Sequence, residues 1–266
     1  MIRKLGEQDR ESVLQYLGKE PALNAYLIAD VENFGFSGPY LEVWAGVDNE
    51  GAYNVVLQKV ILRFDNYFIM YAPGEFDYAG VIQVINDHPD IHAVSGQADT
   101  IERTAKWIPL TGLRRMFYAQ LSDDKKLSVD TGTYHVKIAT VEDAERIYQL
   151  KDKLEEFGGP SHREMIPVVR DIITSSGRTY YIEIDGEIVS CASTNAEGSE
   201  NVLVVGVCTK STERGKGMTT AIMTALCRDI LAEGKKLCLL YDDPTAGNIY
   251  KRMGFNDIGE WIHAGR

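Results

Sequence analysis

The chain has 266 residues, of which 44 % are hydrophobic and 25 % charged, and its formal net charge of −11 is spread over both halves. The length suits two domains, and the composition excludes collagen-like and disordered classes. An acidic surface disfavours nucleic acid, whose backbone calls for lysine and arginine, but suits cationic small molecules or serves solubility alone.

The opening "MIRKLGEQDR" has no signal-peptide core, and no apolar run approaches the ~20 residues of a membrane span, so the expected setting is cytoplasmic with no membrane partner. "MIRKL" predicts a strand and "EQDRESVLQYL" a helix, and Pro21 opens a second helix, "PALNAYLIADVENF". Strands follow at "YLEVWAGV" and "AYNVVLQKVILRF", around the turn "DNEG", and at "NYFIMYA". A helix "YAGVIQVIND", a strand "IHAVSG", a helix "ADTIERTAKWI" and a strand "RRMFYAQL" complete the first half. Ser122 to Gly132 is polar and reads as a linker.

The second half repeats that order. "TYHVKIAT" alternates as a strand, and Thr140 is the expected N-cap of an acidic-starting helix, "VEDAERIYQLKDKLEEF". "GGPSH" breaks it before a second helix, "REMIPVVRDIITSS". "RTYYIEIDGEIVSCASTN" reads as a hairpin turning at Asp185-Gly186, and "NVLVVGVCT" as a buried strand. A helix ended by Gly234, a strand "KLCLLY", a short helix "TAGNIYKRM" and a strand "FNDIGEWIHA" finish the chain. The expectation is an internal duplication in an α/β (mixed α+β) fold: residues 1–122, a linker at 123–132, and residues 133–266. Cys191, Cys208, Cys227 and Cys238 form no CxxC pair and no cluster with the histidines, so reduced, mostly buried thiols and no metal are expected.

One stretch is unlike the rest. In "ERGKGMTTA" two glycines flank Lys216 directly before a helix, where each costs roughly 1 kcal/mol relative to alanine. A Walker A loop fails, because Gly217 follows Lys216 and Lys210 stands where its first glycine belongs. A dinucleotide fingerprint from Gly215 lacks its third glycine at Thr220, although Asp242 ends the next strand as that reading requires. A helix N-terminus exposes several unpaired N–H groups and about half a positive charge. Glycines there let a pyrophosphate reach the backbone.

Arg214-Gly215-Lys216-Gly217-Met218-Thr219 resembles the R/Q-x-x-G-x-G/A loop of the GNAT superfamily of acetyl-CoA-dependent N-acetyltransferases. "YDDPTAGNIYKRMGF" is similar to the D-N-P-x-A-x-x-L-Y-x-x-x-G-F segment of that family at Asp242, Pro244, Ala246, Tyr250, Gly254 and Phe255. It departs at Thr219, where glycine or alanine is usual, and at Asp243, where asparagine is usual. The resemblance implies tandem GNAT-like domains, each a mixed, mostly antiparallel sheet flanked by helices. It also implies acetyl-CoA as cosubstrate and a small-molecule or peptide amine as acceptor; a homodimer is compatible with it.

The same resemblance implies that residues 215 to 219 cradle the pyrophosphate near Arg214 or Lys216. It places the pantetheine arm along Val207, Cys208 and Thr209, with a bulge at Gly206. A backbone N–H near Val207 would polarise the thioester carbonyl, Asp243 would be among the cofactor-binding residues, and Tyr250 would protonate the departing thiolate. Structural readings stand beside these. Tyr250 could pack its helix onto the sheet, Asp242 and Asp243 could form an Asx turn, Lys216 could be solvated, and Met218, Ile222 and Cys227 read as core. The general base is open among Glu155, Glu156, Glu200 and a relayed water. In the first half, Glu75 and Asp77 occupy the phosphate position and would repel a phosphate, marking that half as a degenerate copy. The rival readings are a non-catalytic acyl-CoA-binding scaffold and a nucleotide-dependent oxidoreductase.

Overall fold

A computed structural model describes residues 2–36, 41–49, 55–74, 78–127, 133–154 and 177–266. Glu75, Asp77, Glu155, Glu156 and the expected second helix of the second half lie outside these residues. By contacts the chain divides into two units, Met1–Tyr118 with Asp257–Arg266, and Ala119–Asn256.

Unit 1 contains β1 (Ile2–Lys4), α1 (Arg10–Leu17), α2 (Ala25–Phe34), β2 (Leu41–Asn49), β3 (Val55–Phe64) and β4 (Tyr67–Tyr71). It continues with α3 (Tyr78–Asn86), β5 (Ala93–Gln97), α4 (Ala98–Thr104) and most of β6 (Thr111–Leu121). Strands β1 to β4 pair antiparallel in sequence order, and β4 pairs β5 in parallel. The alternating side chains of β3 build two cores. Val60 and Leu62 pack with Val13, Leu17, Leu27 and Val31 of the first two helices. Ile61 faces the other way, with Val81, Ile85 and Ile101. Helix α2 starts at Ala25 and not at Pro21, because Asn24 turns back to donate from Nδ2 to the Leu17 carbonyl at 2.9 Å.

Unit 2 repeats the pattern with β7 (Val136–Ile138), α5 (Ala144–Asp152), β8 (Thr179–Ile184), β9 (Glu187–Glu197) and β10 (Asn201–Thr209). Next come α6 (Met218–Ala232), β11 (Lys236–Tyr241) and α7 (Pro244–Met253). Strands β7 to β10 are antiparallel and β10 pairs β11 in parallel. The hairpin turns at Asp185-Gly186, with φ of 50° and 82° as a tight two-residue turn demands. Thr140 forms the expected cap with Asp143, although the first turn is a 3-10 turn (Val141–Asp143) and α5 proper starts at Ala144. On one face of this sheet Val202, Val204, Leu237 and Leu239 pack under Ile222, Leu226 and Ile230 of α6. On the other, Cys191 and Cys208 meet Ile147, Leu150 and Leu154.

The division of the chain differs from the expected residues 1–122, linker 123–132 and residues 133–266. Ala119, Leu121 and Leu127 belong to the core of unit 2. The last strand, β12 (Asn256–Gly265), pairs antiparallel with β5 and contributes Ile262 and Ala264 to a core of unit 1.

Among the described residues of unit 1 one carboxyl is buried, that of Asp30, which is 7 % exposed and whose pKa burial raises to about 7. The folded chain therefore holds a proton that the unfolded chain releases near pH 4. Stability from this group is full below that pH and is lost as pH rises to about 7, by about 1.4 kcal/mol per pH unit. Asp30→Asn should remove this slope and be more stable than the parent at pH 8, with little gain at pH 4.5. Urea unfolding at both pH values checks this; an equal effect at each would refute it.

Candidate active site

The site begins where two parallel strands part. Strands β10 and β11 are paired only from Asn201–Val204 to Lys236–Leu239. On its other side β10 has Val205 opposite Ser193 but Cys208 opposite Cys191, so Gly206 and Val207 together face a single residue of β9. This is a β-bulge, which bends the strand and turns it from its neighbour. Gly206 sits at φ +61°, and a Cβ there would stand 2.7 Å from Lys151 Nζ. Glycine takes this conformation without strain.

Beyond β10 a 3-10 turn (Ser211–Glu213) leads to Gly215 and Gly217, at φ +78° and +87°. No heavy atom lies within 4 Å of a Cβ built on either, so the turn faces open space. Gly217 is the N-cap of α6 and offers no side-chain cap, so the first N–H groups of a 15-residue helix point outward. Together with α7 these elements line a cleft of about 650 Å³, walled by Val207, Thr209, Met218, Asn248 and Tyr250. A second cavity, about 570 Å³, shares Gly217 and Thr220 with it and is also lined by Lys216, Tyr134 and Arg228.

All the sequence-derived candidates from Val207 to Tyr250 except Lys216 line that cleft, although several side chains have partners within the protein. Lys216 lines the second cavity, and its ammonium pairs with Glu213 at 2.9 Å while its carbonyl accepts from Tyr134 Oη at 2.8 Å. Arg214 Nε donates to the Thr209 carbonyl at 3.1 Å and so braces the end of β10. Asp243 is the N-cap of α7, its carboxylate accepting from Thr245 N at 2.8 Å. Pro244 at the first helical position needs no N–H partner.

Thr219, the departure from the expected glycine or alanine, has a structural reason. Its hydroxyl lies 2.9 Å from that of Thr209, which lies 2.7 Å from Ser190 Oγ. Ser190 in turn donates to the Cys208 carbonyl at 3.0 Å. The chain of hydroxyls ties the first turn of α6 to β10 and β9.

Tyr250 fits both of its readings. It is 7 % exposed, its ring centroid lies 5.7 Å from Tyr241 and 5.9 Å from Phe255, and it also lines the cleft. Burial first, then the negative charge of Asp243, pushes its pKa up to about 12, so the phenol keeps its proton at neutral pH. Glu200 is removed as a base: it is exposed at the start of β10, seven residues before Val207 and so roughly 20 Å away along the strand. Lys151 was not singled out by sequence reasoning. It is 4 % exposed against Gly206, and its signal is its place among the apolar residues Ile147 and Leu150 of α5 and Leu154 just beyond it. Among the described residues no group of three or more His, Cys, Asp or Glu is placed to hold a metal, and no helix is long and apolar enough to cross a membrane.

The corresponding place in unit 1 is differently furnished. After β4, the Ala72 carbonyl accepts from buried Thr100 Oγ1 at 3.3 Å, and Arg103 donates to the Gly74 carbonyl. Backbone acceptors there are already engaged by α4.

Fold and cleft define a class first: a mixed α+β protein in which a bulged strand leaves its parallel neighbour and ends at a glycine-rich helix start. Residues 175–257 match the family profile described as the acetyltransferase (GNAT) domain. Among curated proteins none matches it in sequence. Solved structures extend the likeness of fold over both units. A GCN5-related N-acetyltransferase from Kribbella flavida is 16 % identical with a TM-score of 0.62, over 91 % of this chain and 95 % of that one. A tandem GNAT protein from the clavulanic acid biosynthesis pathway is 16 % identical with a TM-score of 0.61, over 100 % and 98 %. A GCN5-related N-acetyltransferase from Sphaerobacter thermophilus is 12 % identical with a TM-score of 0.64, over 100 % and 95 %.

Because the Thr209 and Thr219 hydroxyls join β10 to α6, Thr219→Val should lower stability by about 1 kcal/mol. Thr209→Val in the same background should add less than it does alone. A double-mutant cycle by denaturant unfolding measures this; strict additivity would mean the two hydroxyls do not interact.

Proposed function

We propose that this chain is an N-acetyltransferase that moves an acetyl group from acetyl-CoA to an amine of a small molecule or peptide. The observation that carries the reading is the uncapped, glycine-opened start of α6 beside the unpaired edge of β10. N–H groups and positive φ are what a pyrophosphate needs, and the unpaired edge offers an extended arm a strand-like partner.

Acetyl-CoA supplies the acetyl group as an activated thioester. The chain's residues then have separable tasks. Gly215 to Thr219 receive the pyrophosphate with backbone N–H groups. The outer edge of Val207 to Thr209 aligns the pantetheine amides. The N–H at the bulge, near Val207, faces the carbonyl oxygen where charge develops on attack. Tyr250 Oη holds a proton for the sulfur that leaves. An amine that arrives neutral attacks directly and afterwards gives its proton to water. The preferred acceptors of an acidic chain are amines that are cationic in solution.

Two substitutions test binding and chemistry apart. Gly217→Asp places a negative charge and a side chain, at φ +87°, where the pyrophosphate approaches. CoA affinity should fall at least tenfold, about 1.4 kcal/mol, and titration calorimetry on the folded variant decides it; unchanged affinity would remove the phosphate assignment.

Tyr250→Phe keeps the ring and its packing while removing the proton. CoA affinity should be retained and kcat should drop by roughly 10²-fold. With the parent phenol titrating only near pH 12, that ratio should stay constant from pH 6 to 9. An amine screen that follows thiol release supplies the substrate for this measurement. Wild-type kcat in the variant, with chemistry limiting, would assign the proton to another group. CoA binding without turnover on any amine would favour a binding scaffold.

A further inference from the structure

Two of the four cysteines face each other beside the cleft. Cys191 of β9 and Cys208 of β10 are directly opposed in register, and their sulfurs are 3.4 Å apart. Both are buried and reduced, and Cys208 lines the cleft. Cys208 lies between Val207 and Thr209 on the strand that Gly206 bends outward. Buried Lys151 stands against that bend, its charge reaching Cys191.

The surroundings set this pair apart from the other two thiols. A hydrogen bond from Cys208, and then the Lys151 ammonium, hold the Cys191 thiol below the ordinary cysteine value despite complete burial. Burial alone acts on Cys227 in helix α6 and raises its thiol well above that value. Cys238 of β11 contacts the side chains of Gln120 and Asn201. Thiolate character favours exchange, and an adjacent thiol completes it as a disulfide.

We propose that Cys191 and Cys208 form a reversible disulfide, made by exchange with a low-molecular-weight disulfide, and that this bond closes the cleft to coenzyme A. The Cys208 thiol, on the cleft side, passes its proton to the Cys191 thiolate as its sulfur attacks one sulfur of the small disulfide, and the first small thiolate leaves and takes that proton from Cys191. Cys191 then attacks the sulfur of Cys208, the intramolecular bond forms, and the second small thiolate leaves and is protonated. Two protein thiols lose two electrons and two protons, and one small disulfide becomes two thiols. Closing 3.4 Å to bonding distance draws β10 toward β9 between the residues assigned to the pantetheine arm, and draws the bulge out of the shape it holds when reduced. The effect on coenzyme A rests on the function proposed above; the formation of the bond does not.

The full-length protein is incubated with 2-hydroxyethyl disulfide, which is small and neutral, then alkylated under denaturing conditions and mapped by mass spectrometry. A Cys191–Cys208 cross-link is expected, with Cys227 and Cys238 recovered alkylated. Affinity for CoA, read by calorimetry, should fall at least tenfold in the oxidised protein and return with dithiothreitol. Cys191→Ser and Cys191→Ala should each stop at a mixed disulfide on Cys208 and give no intramolecular cross-link, and prior saturation with CoA should slow cross-linking in the parent. Recovery of both cysteines alkylated, or as two separate mixed disulfides, would overturn the pair. A cross-link that leaves CoA affinity unchanged would overturn its effect on the cleft. If the reduced protein binds no CoA, the proposed function fails while the cross-link still decides the pair.

Discussion

The site depends on β10 leaving β11 after Val204. A parallel strand that stayed in register to Thr209 would satisfy its own hydrogen bonds and leave no edge for a ligand. The cause of the departure is local and steric. Gly206 adopts a backbone conformation that strains other residues, and the Lys151 ammonium stands 2.7 Å from where a Cβ would be. Once the strand is turned, its far end must be held, because an unpaired strand end frays. Arg214, Thr219 and Ser190 do this through the Thr209 carbonyl and hydroxyl. The cleft is thus a bent strand fixed at both ends, with the glycine turn opening the helix beside it.

Much of this was legible where one residue type is forced by backbone conformation. Gly215 and Gly217 could be read as the turn that opens a helix because no helix gains from them, and Asp185-Gly186 as a turn for the same reason. Lys151 and Ser190 were not legible. A lysine on an apolar stripe and a serine in a buried strand carry meaning only through residues distant in sequence. Glu200 shows the converse error: it is close to Val207 along the chain, yet an extended strand puts neighbours in sequence at opposite ends. The unit boundary escaped for a related reason, since nothing local in "FNDIGEWIHA" says which strand it will pair with.

The two units share strand order and the position of their one parallel ladder from sequential strands, and they differ in the segment directly after it. In unit 1, Thr100 and Arg103 of α4 donate to the carbonyls after β4. In unit 2 the polar groups at the same stage tie β10 to the next helix, and the outer edge is left to the cleft. A duplicated fold has in one copy used its hydrogen-bonding groups on itself.

The placement of β12 has a consequence for how the chain is made. Most of unit 1 leaves the ribosome before any of unit 2, yet one strand of its sheet is synthesised after all of unit 2. Until then β5 lacks its antiparallel partner, and Ile262 and Ala264 are missing from the core beneath it. At about 5–20 residues per second, more than a hundred residues separate β5 from β12, so that edge stays open for roughly ten seconds or longer. An open strand edge is a template for pairing with another chain. Nascent copies on one polysome are therefore exposed to exchange of this strand, and a stop codon placed just before β12 would leave the first unit incomplete while sparing the bent strand and glycine turn of the second.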